Sequence, residues 1–266
     1  LDGTLRSIRG ALPLVLEARD RGFEEVYLPQ ENTVEAGIVA GIKIFGVGNL
    51  KEIVEHLDPN AIQEKKKPKR KKLEAEPKTQ IALREAKKSA DFRDIRGQES
   101  AKRGLEIAAA GGHNIAMYGP PGTGKTMLAR AFCGILPSLS FEDTLETTAI
   151  HSVAGALNSD LITHAPFRSP HHTASYVSMV GGGSFPKPGE ATLAHRGVLF
   201  LDEFPEFDRR AIEALREPLE NRSITVSRAS GSVTFPANIM LIAAMNPPAD
   251  NADQRERERF EKKLSA

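Results

Sequence analysis

The residues best suited to chemistry form one short run that is rich in glycine and ends in lysine and threonine. The run, called the P-loop below, reads Gly119-Pro120-Pro121-Gly122-Thr123-Gly124-Lys125-Thr126. Its spacing matches the pattern G-x-x-x-x-G-K-[ST], in which backbone N–H groups surround phosphate oxygens. Lys125 would reach the β- and γ-phosphates of a nucleotide, and the Thr126 hydroxyl would ligate Mg²⁺. A chance glycine and proline turn would leave most of these fixed positions unexplained.

Two more polar groups follow apolar runs further along the chain. Asp202 and Glu203 come directly after 197–201, and Asn246 follows 238–245. Each alone is a weak signal, because strands often end in acidic residues and Asn-Pro favours turns. Beside a P-loop they predict a shared site at the carboxyl edge of a sheet. Asp202 would hold Mg²⁺ through water, Glu203 would polarise the attacking water, and Asn246 would contact the γ-phosphate or that water.

The elements around these residues predict a parallel α/β fold. An apolar strand, 114–118, precedes the P-loop, and a helix over 127–133 follows it, which is the context that the motif requires. Two segments flanking Asp202, at 167–183 and 224–235, are predicted to be inserted β-hairpins. The tip of the second would present Arg228 to a polyanion such as DNA, although a solvated surface arginine explains the sequence equally well.

Three regions differ in composition. Residues 1–58 predict a small α/β unit, 59–88 a basic, disordered linker, and 89–266 the nucleotide-binding core. The linker packs seven cations into 65–72, which suits a solvated hinge and a phosphate contact equally. In the first region the pattern predicts helices over 11–19, 33–40 and 50–57 and strands over 25–29 and 42–47.

Composition excludes several classes of protein. The 266 residues have a net charge of +1, so no overall positive field indicates nucleic acid. The single cysteine, Cys133, lies in an apolar helix and excludes a disulfide framework, which suits a cytoplasmic location. The sequence contains no run of about 18 apolar residues, so it predicts no membrane span. His171 and His172 lack a third metal ligand. Because the chain begins at Leu1, we expect a piece of a longer protein.

The motifs, with Gly97-Gln98 upstream of them, resemble the core of an AAA+ ATPase. The insertions around Asp202 are similar to those of the branch that contains magnesium chelatase subunit I and the MCM helicases. The sequences of three segments resemble the bacterial ComM/YifB family of magnesium chelatase-like proteins. Two N-terminal segments resemble the C-terminal half of a Lon-protease-like domain. These segments are 167–190, 216–220 and 227–229, and then 10–13 and 28–32.

The resemblance implies a P-loop NTPase sheet with helices on both faces, preceded by a partial Lon-like domain at 1–58. It implies ATP and Mg²⁺ as cofactors and a homo-oligomeric, hexameric ring that moves along DNA and promotes branch migration. In that ring Arg228 would face the pore. Two other functions stay open: the ATPase subunit of a magnesium chelatase, and a nucleotide-binding scaffold with little hydrolysis.

Three departures from the family pattern limit these expectations. Leu12 stands where Lon-type proteases carry their lysine, and the half of the domain with their serine is missing, so we expect no proteolysis. A cysteine-bearing segment usually follows Asn246-Pro247 in the family, whereas 248–253 has no cysteine. The family's arginine finger and second sensor arginine lie beyond this chain, which we therefore expect to hydrolyse ATP poorly by itself.

Overall fold

The chain forms two compact units in a computed structural model, which describes residues 2–57, 73–79, 90–157, 161–183, 186–228, 231–248 and 258. The first unit comprises Leu1–Leu83 and Thr144–Ile162, and the second comprises Arg84–Asp143 and Thr163–Ala266. The sequence did not predict that 144–162 would group with the first unit.

Short helices and strands alternate through both units. The longest described helix has 14 residues, and none of the helices within the described ranges is long and apolar enough to cross a membrane. The helices are α1 Ala11–Asp20, α2 Thr33–Ala36, α3 Leu50–Leu57, α4 Glu99–Gly111, α5 Lys125–Cys133, α6 Phe141–Ala154, α7 Tyr176–Val180, α8 Glu190–Leu193, α9 Arg209–Glu213 and α10 Arg216–Asn221. The strands are β1 Glu25–Pro29, β2 Lys43–Val47, β3 Ile115–Tyr118, β4 Phe167–Arg168, β5 Gly181–Gly182, β6 Lys187–Pro188, β7 Val198–Leu201, β8 Ser223–Arg228, β9 Gly231–Pro236 and β10 Met240–Met245.

The first unit is built on the parallel pair β1 and β2, which runs from Glu25 opposite Lys43 to Pro29 opposite Val47. Helix α1 covers this pair, and Leu12 and Val15 are fully buried in the core between them. A parallel pair joined by a helical connection is what alternating strands and helices predict. The predicted strands and the first and third helices are confirmed to within one residue.

The predicted helix over 33–40 is wrong beyond Ala36. The Gly37 N–H still closes a turn on the Thr33 carbonyl at 2.7 Å, but the Gly37 carbonyl accepts from the Thr79 N–H at 2.9 Å. The Thr79 hydroxyl also donates to the Val34 carbonyl at 2.9 Å. Since a helix needs these carbonyls for its own next turn, the contacts with Thr79 end it.

Residues 73–79 fall inside the predicted linker, but they belong to the first unit and form hydrogen bonds with its other residues. The Glu76 N–H donates to the Ile44 carbonyl at 2.8 Å, and the Gln30 side-chain amide donates to the Glu76 carboxylate at 2.8 Å. This stretch therefore lies along β2. The strongly basic segment 65–72, for which we predicted a hinge or a phosphate contact, lies outside the described residues.

The second unit contains a four-stranded parallel sheet in the order β3-β10-β7-β4. Alternate side chains of β7 point to opposite faces, as a strand requires. Val198 and Phe200 pack with Phe132 of α5, whereas Leu199 and Leu201 pack in a second cluster with residues of α7, α8 and α9. Helices thus cover both faces, and the predicted α/β fold class is confirmed.

The two predicted insertions have different outcomes. Strands β8 and β9 form the expected antiparallel hairpin, from Ser223 opposite Pro236 to Arg228 opposite Gly231. The prediction that Phe167 opens the other hairpin is wrong, because Phe167 pairs in parallel with Val198 as the edge strand β4. The hairpin in that insertion is β5 with β6, where Gly181 lies opposite Pro188. A strand of two residues is too short to show alternation in sequence.

Cys133 provides a test of core packing in the second unit. Burial raises the pKa of the Cys133 thiol to about 12, far above the usual thiol value, so almost no thiolate exists near neutral pH. We expect iodoacetamide at pH 8 to alkylate Cys133 at least about 100-fold more slowly in the native protein than in concentrated urea. Equal rates, followed by mass spectrometry, would contradict the packing of α5 described above.

Candidate nucleotide-binding site

Three adjacent strands of the parallel sheet end beside one another. Strand β10 lies between β3 and β7, with Met245 opposite Tyr118 and Ala243 opposite Leu201. The Gly119 N–H continues the pairing of β3 with β10 by donating to the Met245 carbonyl at 3.3 Å. The P-loop, Asn246 and Asp202 each begin where one of these strands stops, so they share one edge of the sheet.

The P-loop has the backbone that phosphate binding requires. Gly122 and Gly124 have positive φ angles of 80° and 83°, a region that only glycine adopts at little cost. The Thr123 hydroxyl donates to the Pro120 carbonyl at 2.9 Å and so holds the loop closed. Helix α5 begins at Lys125, and its first N–H groups have no carbonyl partner within the helix. These N–H groups and the helix dipole favour an anion at this position.

Lys125 is tied to the edge of the sheet by three hydrogen bonds. Its Nζ donates to the Gly119 carbonyl at 2.7 Å, the Pro120 carbonyl at 3.0 Å and the Asn246 Oδ1 at 2.8 Å. An ammonium group has three donors, and protein oxygens satisfy all of them. The contact with Asn246 joins the P-loop to β10 through side chains as well as through the backbone.

Thr126 and Asp202 form the second link across the edge. The Thr126 hydroxyl donates to Asp202 Oδ2 at 2.9 Å. A hydroxyl and a carboxylate are oxygen ligands of the kind that Mg²⁺ prefers, so the residues present fit a nucleotide-bound magnesium ion. Asp202 Oδ1 accepts from the Glu203 N–H at 3.0 Å, which fixes the turn after β7.

Glu203 sits in a strained backbone conformation. Its φ of 52° is left-handed, which costs a residue other than glycine on the order of 1 kcal/mol. The turn directs the chain into a short 3-10 helix at Phe204–Glu206 and leaves the Glu203 side chain about half exposed. Backbone strain of this kind is concentrated at functional sites.

His172 contacts Glu203, and the sequence did not predict this contact. The His172 Nδ1 lies 3.0 Å from the Glu203 Oε2. The His171 ring packs against the His172 ring at a tilt of 35°, with 4.1 Å between centroids, while the His171 Nδ1 lies 2.9 Å from the Thr173 hydroxyl. Across the described ranges, no three histidine, cysteine or acidic residues are grouped so as to hold a metal. Recognising β4 as a strand beside β7 would have placed the segment after it near Glu203.

A cavity of about 720 Å³ adjoins the P-loop. Its lining includes apolar residues of α4 and β3 together with the polar residues Gln98, Thr123 and Lys125. The Gln98 side-chain amide approaches the Thr123 carbonyl at 3.4 Å, so the upstream Gly97-Gln98 segment borders the loop. An apolar wall beside a phosphate-binding loop suits a nucleoside whose base packs against carbon.

Arg228 belongs to a different part of the second unit. It is the last paired residue of β8, at the tip of the hairpin, and the hairpin forms a sheet separate from the parallel one. The structure therefore brings together Lys125, Thr126, Asp202 and Asn246, with Glu203 next to them, and leaves Arg228 outside this group.

The sheet order, the P-loop and the polar edge define a P-loop protein of the AAA+ class. Within that class the chain belongs to the family described as magnesium chelatase, subunit ChlI, whose model matches residues 91–265. It shares fold with a solved structure of the complex between subunits BchI and BchD of magnesium chelatase. That match has a TM-score of 0.50 and 24% identity, and it covers 64% of this chain and 59% of the other.

Two curated relatives confirm the resemblance to the ComM/YifB group. The uncharacterized protein YifB of Salmonella typhimurium is 45% identical over 93% of this chain and 46% of its own length. The competence protein ComM of Haemophilus influenzae is 42% identical over 93% of this chain and 47% of its own length. The chain thus spans about half the length of these relatives. The assignment of 1–58 to a Lon-like domain stays a prediction.

The contact between His172 and Glu203 can be tested by substitution. If this site hydrolyses ATP and the imidazole positions the carboxylate, His172→Ala should lower the kcat about tenfold while leaving the Kd for nucleotide within about twofold, because only orientation is lost. His172→Gln should restore part of the rate through its amide N–H. His164→Ala is the matched control, since the His164 ring contacts a hydroxyl instead, with 2.8 Å between its Nδ1 and the Thr163 Oγ1. A loss as large in His164→Ala as in His172→Ala would contradict a specific role for His172.

Proposed function

We propose that this protein binds ATP with Mg²⁺ at the P-loop edge and hydrolyses it. The observation that carries the proposal is the pair of side-chain links across the sheet edge, from Lys125 to Asn246 and from Thr126 to Asp202. They gather a cation, two magnesium-type ligands and a polar amide beside a loop shaped for phosphate. Glu203 adds a carboxylate in a strained turn next to them.

Each residue has a distinct role in this proposal. The P-loop N–H groups and Lys125 bind and orient the phosphates, with Lys125 exchanging its bonds to Gly119 and Pro120 for phosphate oxygens. Thr126 and Asp202 would hold Mg²⁺, which supplies positive charge against the phosphates when it is bound. Glu203 orients a water and accepts its proton. Asn246, already in contact with Lys125, orients the γ-phosphate or the water.

Paired substitutions separate binding from turnover. Lys125→Ala should weaken ATP binding at least about tenfold, because each charge-assisted hydrogen bond contributes roughly 1.5–3 kcal/mol. Glu203→Gln should keep the Kd of the wild type and lower kcat at least about 100-fold, because only proton acceptance is removed. Fluorescent nucleotide titration and phosphate release measure the two quantities. Normal affinity in Lys125→Ala would refute the site, and normal turnover in Glu203→Gln would refute the role of Glu203.

We further propose that ATP hydrolysis drives movement on DNA by a ring of identical subunits, with branched DNA as the substrate. The resemblance to the ComM/YifB group supports this, as does the name of the Haemophilus relative, a competence protein. The β8–β9 hairpin suits a polyanion, because its exposed face carries paired hydroxyls. The Thr225 and Thr234 hydroxyls lie 3.1 Å apart, and those of Ser227 and Ser232 3.0 Å apart. Hydroxyls commonly contact nucleic-acid phosphates.

DNA should stimulate ATP turnover if the motor proposal is right. We expect branched DNA to raise the kcat for ATP hydrolysis several-fold. Arg228→Ala should weaken DNA binding and reduce the slope of log K against log salt concentration by about one, because one phosphate contact is lost. Arg222→Ala is the matched control, since Arg222 has the same charge at the base of the hairpin. An ATPase rate unaffected by branched DNA would reject the motor, and equal losses in both variants would reject a specific contact by Arg228.

A second candidate function is the ATPase subunit of a chelatase that drives Mg²⁺ insertion into a porphyrin. The family model and the solved BchI and BchD complex favour it. A third is a nucleotide-binding scaffold. ATP turnover that a chelatase partner and porphyrin stimulate, and DNA does not, would favour the second function. Nucleotide binding with negligible turnover under every condition would favour the scaffold.

A further inference from the structure

The first unit contains a cavity of about 450 Å³ that plays no part in the nucleotide site. Its charged wall residues are Arg9, Glu31 and Glu35, and Asn32 and Ser152 also line it. One positive and two negative side chains give this wall a net charge of −1. The cavity is large enough for a small organic ligand.

Glu35 is the unusual member of this wall. It is only 6% exposed, and its Oε1 accepts from the Asn32 side-chain amide at 2.7 Å. Its Oε2 is buried and has no hydrogen-bond partner among the described residues. A buried carboxylate with an unpaired oxygen is costly, and native proteins normally supply a donor or a cation to such a group.

Asn32 holds Glu35 in place, and both N–H groups of its amide are already used, so it has no donor left for Glu35 Oε2. Its Oδ1 accepts from the Ile8 N–H at 3.0 Å, and its Nδ2 donates to the Ile8 carbonyl at 2.9 Å as well as to Glu35. Asn32 is 3% exposed. The N–H and C=O groups of Ile8 are thus bonded to Asn32 at the start of α2. These bonds fix the Asn32 side chain, which in turn holds the Glu35 carboxylate.

Arg9, the cation on this wall, packs against another wall residue, Gly155, and makes no hydrogen bond to Glu35. A Cβ placed on Gly155 would lie 2.5 Å from the Arg9 Nε, so the Arg9 side chain packs against Gly155. The φ of 69° at Gly155 also favours glycine there. None of the described lysine, arginine or histidine side chains donates to Glu35 Oε2.

We propose that this cavity binds a ligand through an ammonium or guanidinium group that donates to Glu35. Glu35 lines the cavity, and the terminal torsion of a glutamate is soft, so a donor in the cavity would turn the carboxylate to accept from it. A nitrogen cation suits the wall better than a metal ion, because the described residues offer no group of three histidine, cysteine or acidic side chains that could hold a metal. The group can belong to a free amine or to an arginine side chain of a peptide.

The test uses probes that differ in charge and share a shape. Butylguanidinium is compared with butylurea, and acetyl-Gly-Arg-Gly-amide with the same peptide containing citrulline, by calorimetric titration of the whole chain. We expect at least one cation to bind about tenfold or more tightly than its neutral counterpart, as charge-assisted hydrogen bonds require. The pair that shows the difference identifies the source of the group. Glu35→Gln should abolish the difference, whereas Glu24→Gln, which changes an exposed acid outside the cavity, should preserve it.

Three outcomes overturn the proposal: equal binding of charged and neutral probes, a preference for the cation that survives Glu35→Gln, and loss of that preference in Glu24→Gln. Thermal melting shows whether Glu35→Gln folds. If it does not fold, amide resonances of the wild type decide the matter. Shifts at Ile8 and Asn32 with butylguanidinium, absent with butylurea, support the site, and unchanged resonances at both residues reject it.

Discussion

Parallel pairing of β10 between β3 and β7 is the constraint on which the nucleotide site depends. Because all three strands run in one direction, their carboxyl ends meet at one edge, and residues 76 or more positions apart in sequence become neighbours. The hydrogen bond from Gly119 to Met245 sets where the loop leaves the sheet. Packing on both sheet faces holds this register, since a slip of one residue would exchange the side chains of β7 between two differently filled core clusters.

The turn after β7 shows how the site combines rigidity with strain. Leu201 is fully buried, whereas two residues later Glu203 has a left-handed backbone and an exposed carboxylate. Asp202 stabilises the turn by accepting from the Glu203 N–H while its other oxygen accepts from Thr126. Asp202 thus bonds to both Thr126 and Glu203, so substitutions at Asp202 would affect both residues together.

The sequence predicted the P-loop, the three strands behind the site and most of the first unit, because glycine spacing and long apolar runs are strong local signals. It did not predict β4, since Phe167 and Arg168 alone show no periodicity. For that reason it also did not predict the contact between His172 and Glu203. The buried Asn32 and Glu35 were equally invisible, because polar residues near a turn usually face solvent. Helix α2 ended early owing to Thr79, a contact 42 residues beyond Gly37 that no local pattern records.

The three bonds made by Lys125 have a consequence for selectivity among anions. A ligand that enters the loop must compete with the Gly119 and Pro120 carbonyls for the same ammonium protons. In the proposed site a single phosphate or sulfate would offer few new contacts in exchange, whereas a nucleotide would also engage the loop N–H groups and Thr126 and place its base against the apolar wall beside α4. The bonds within the loop would therefore favour the larger ligand over small anions.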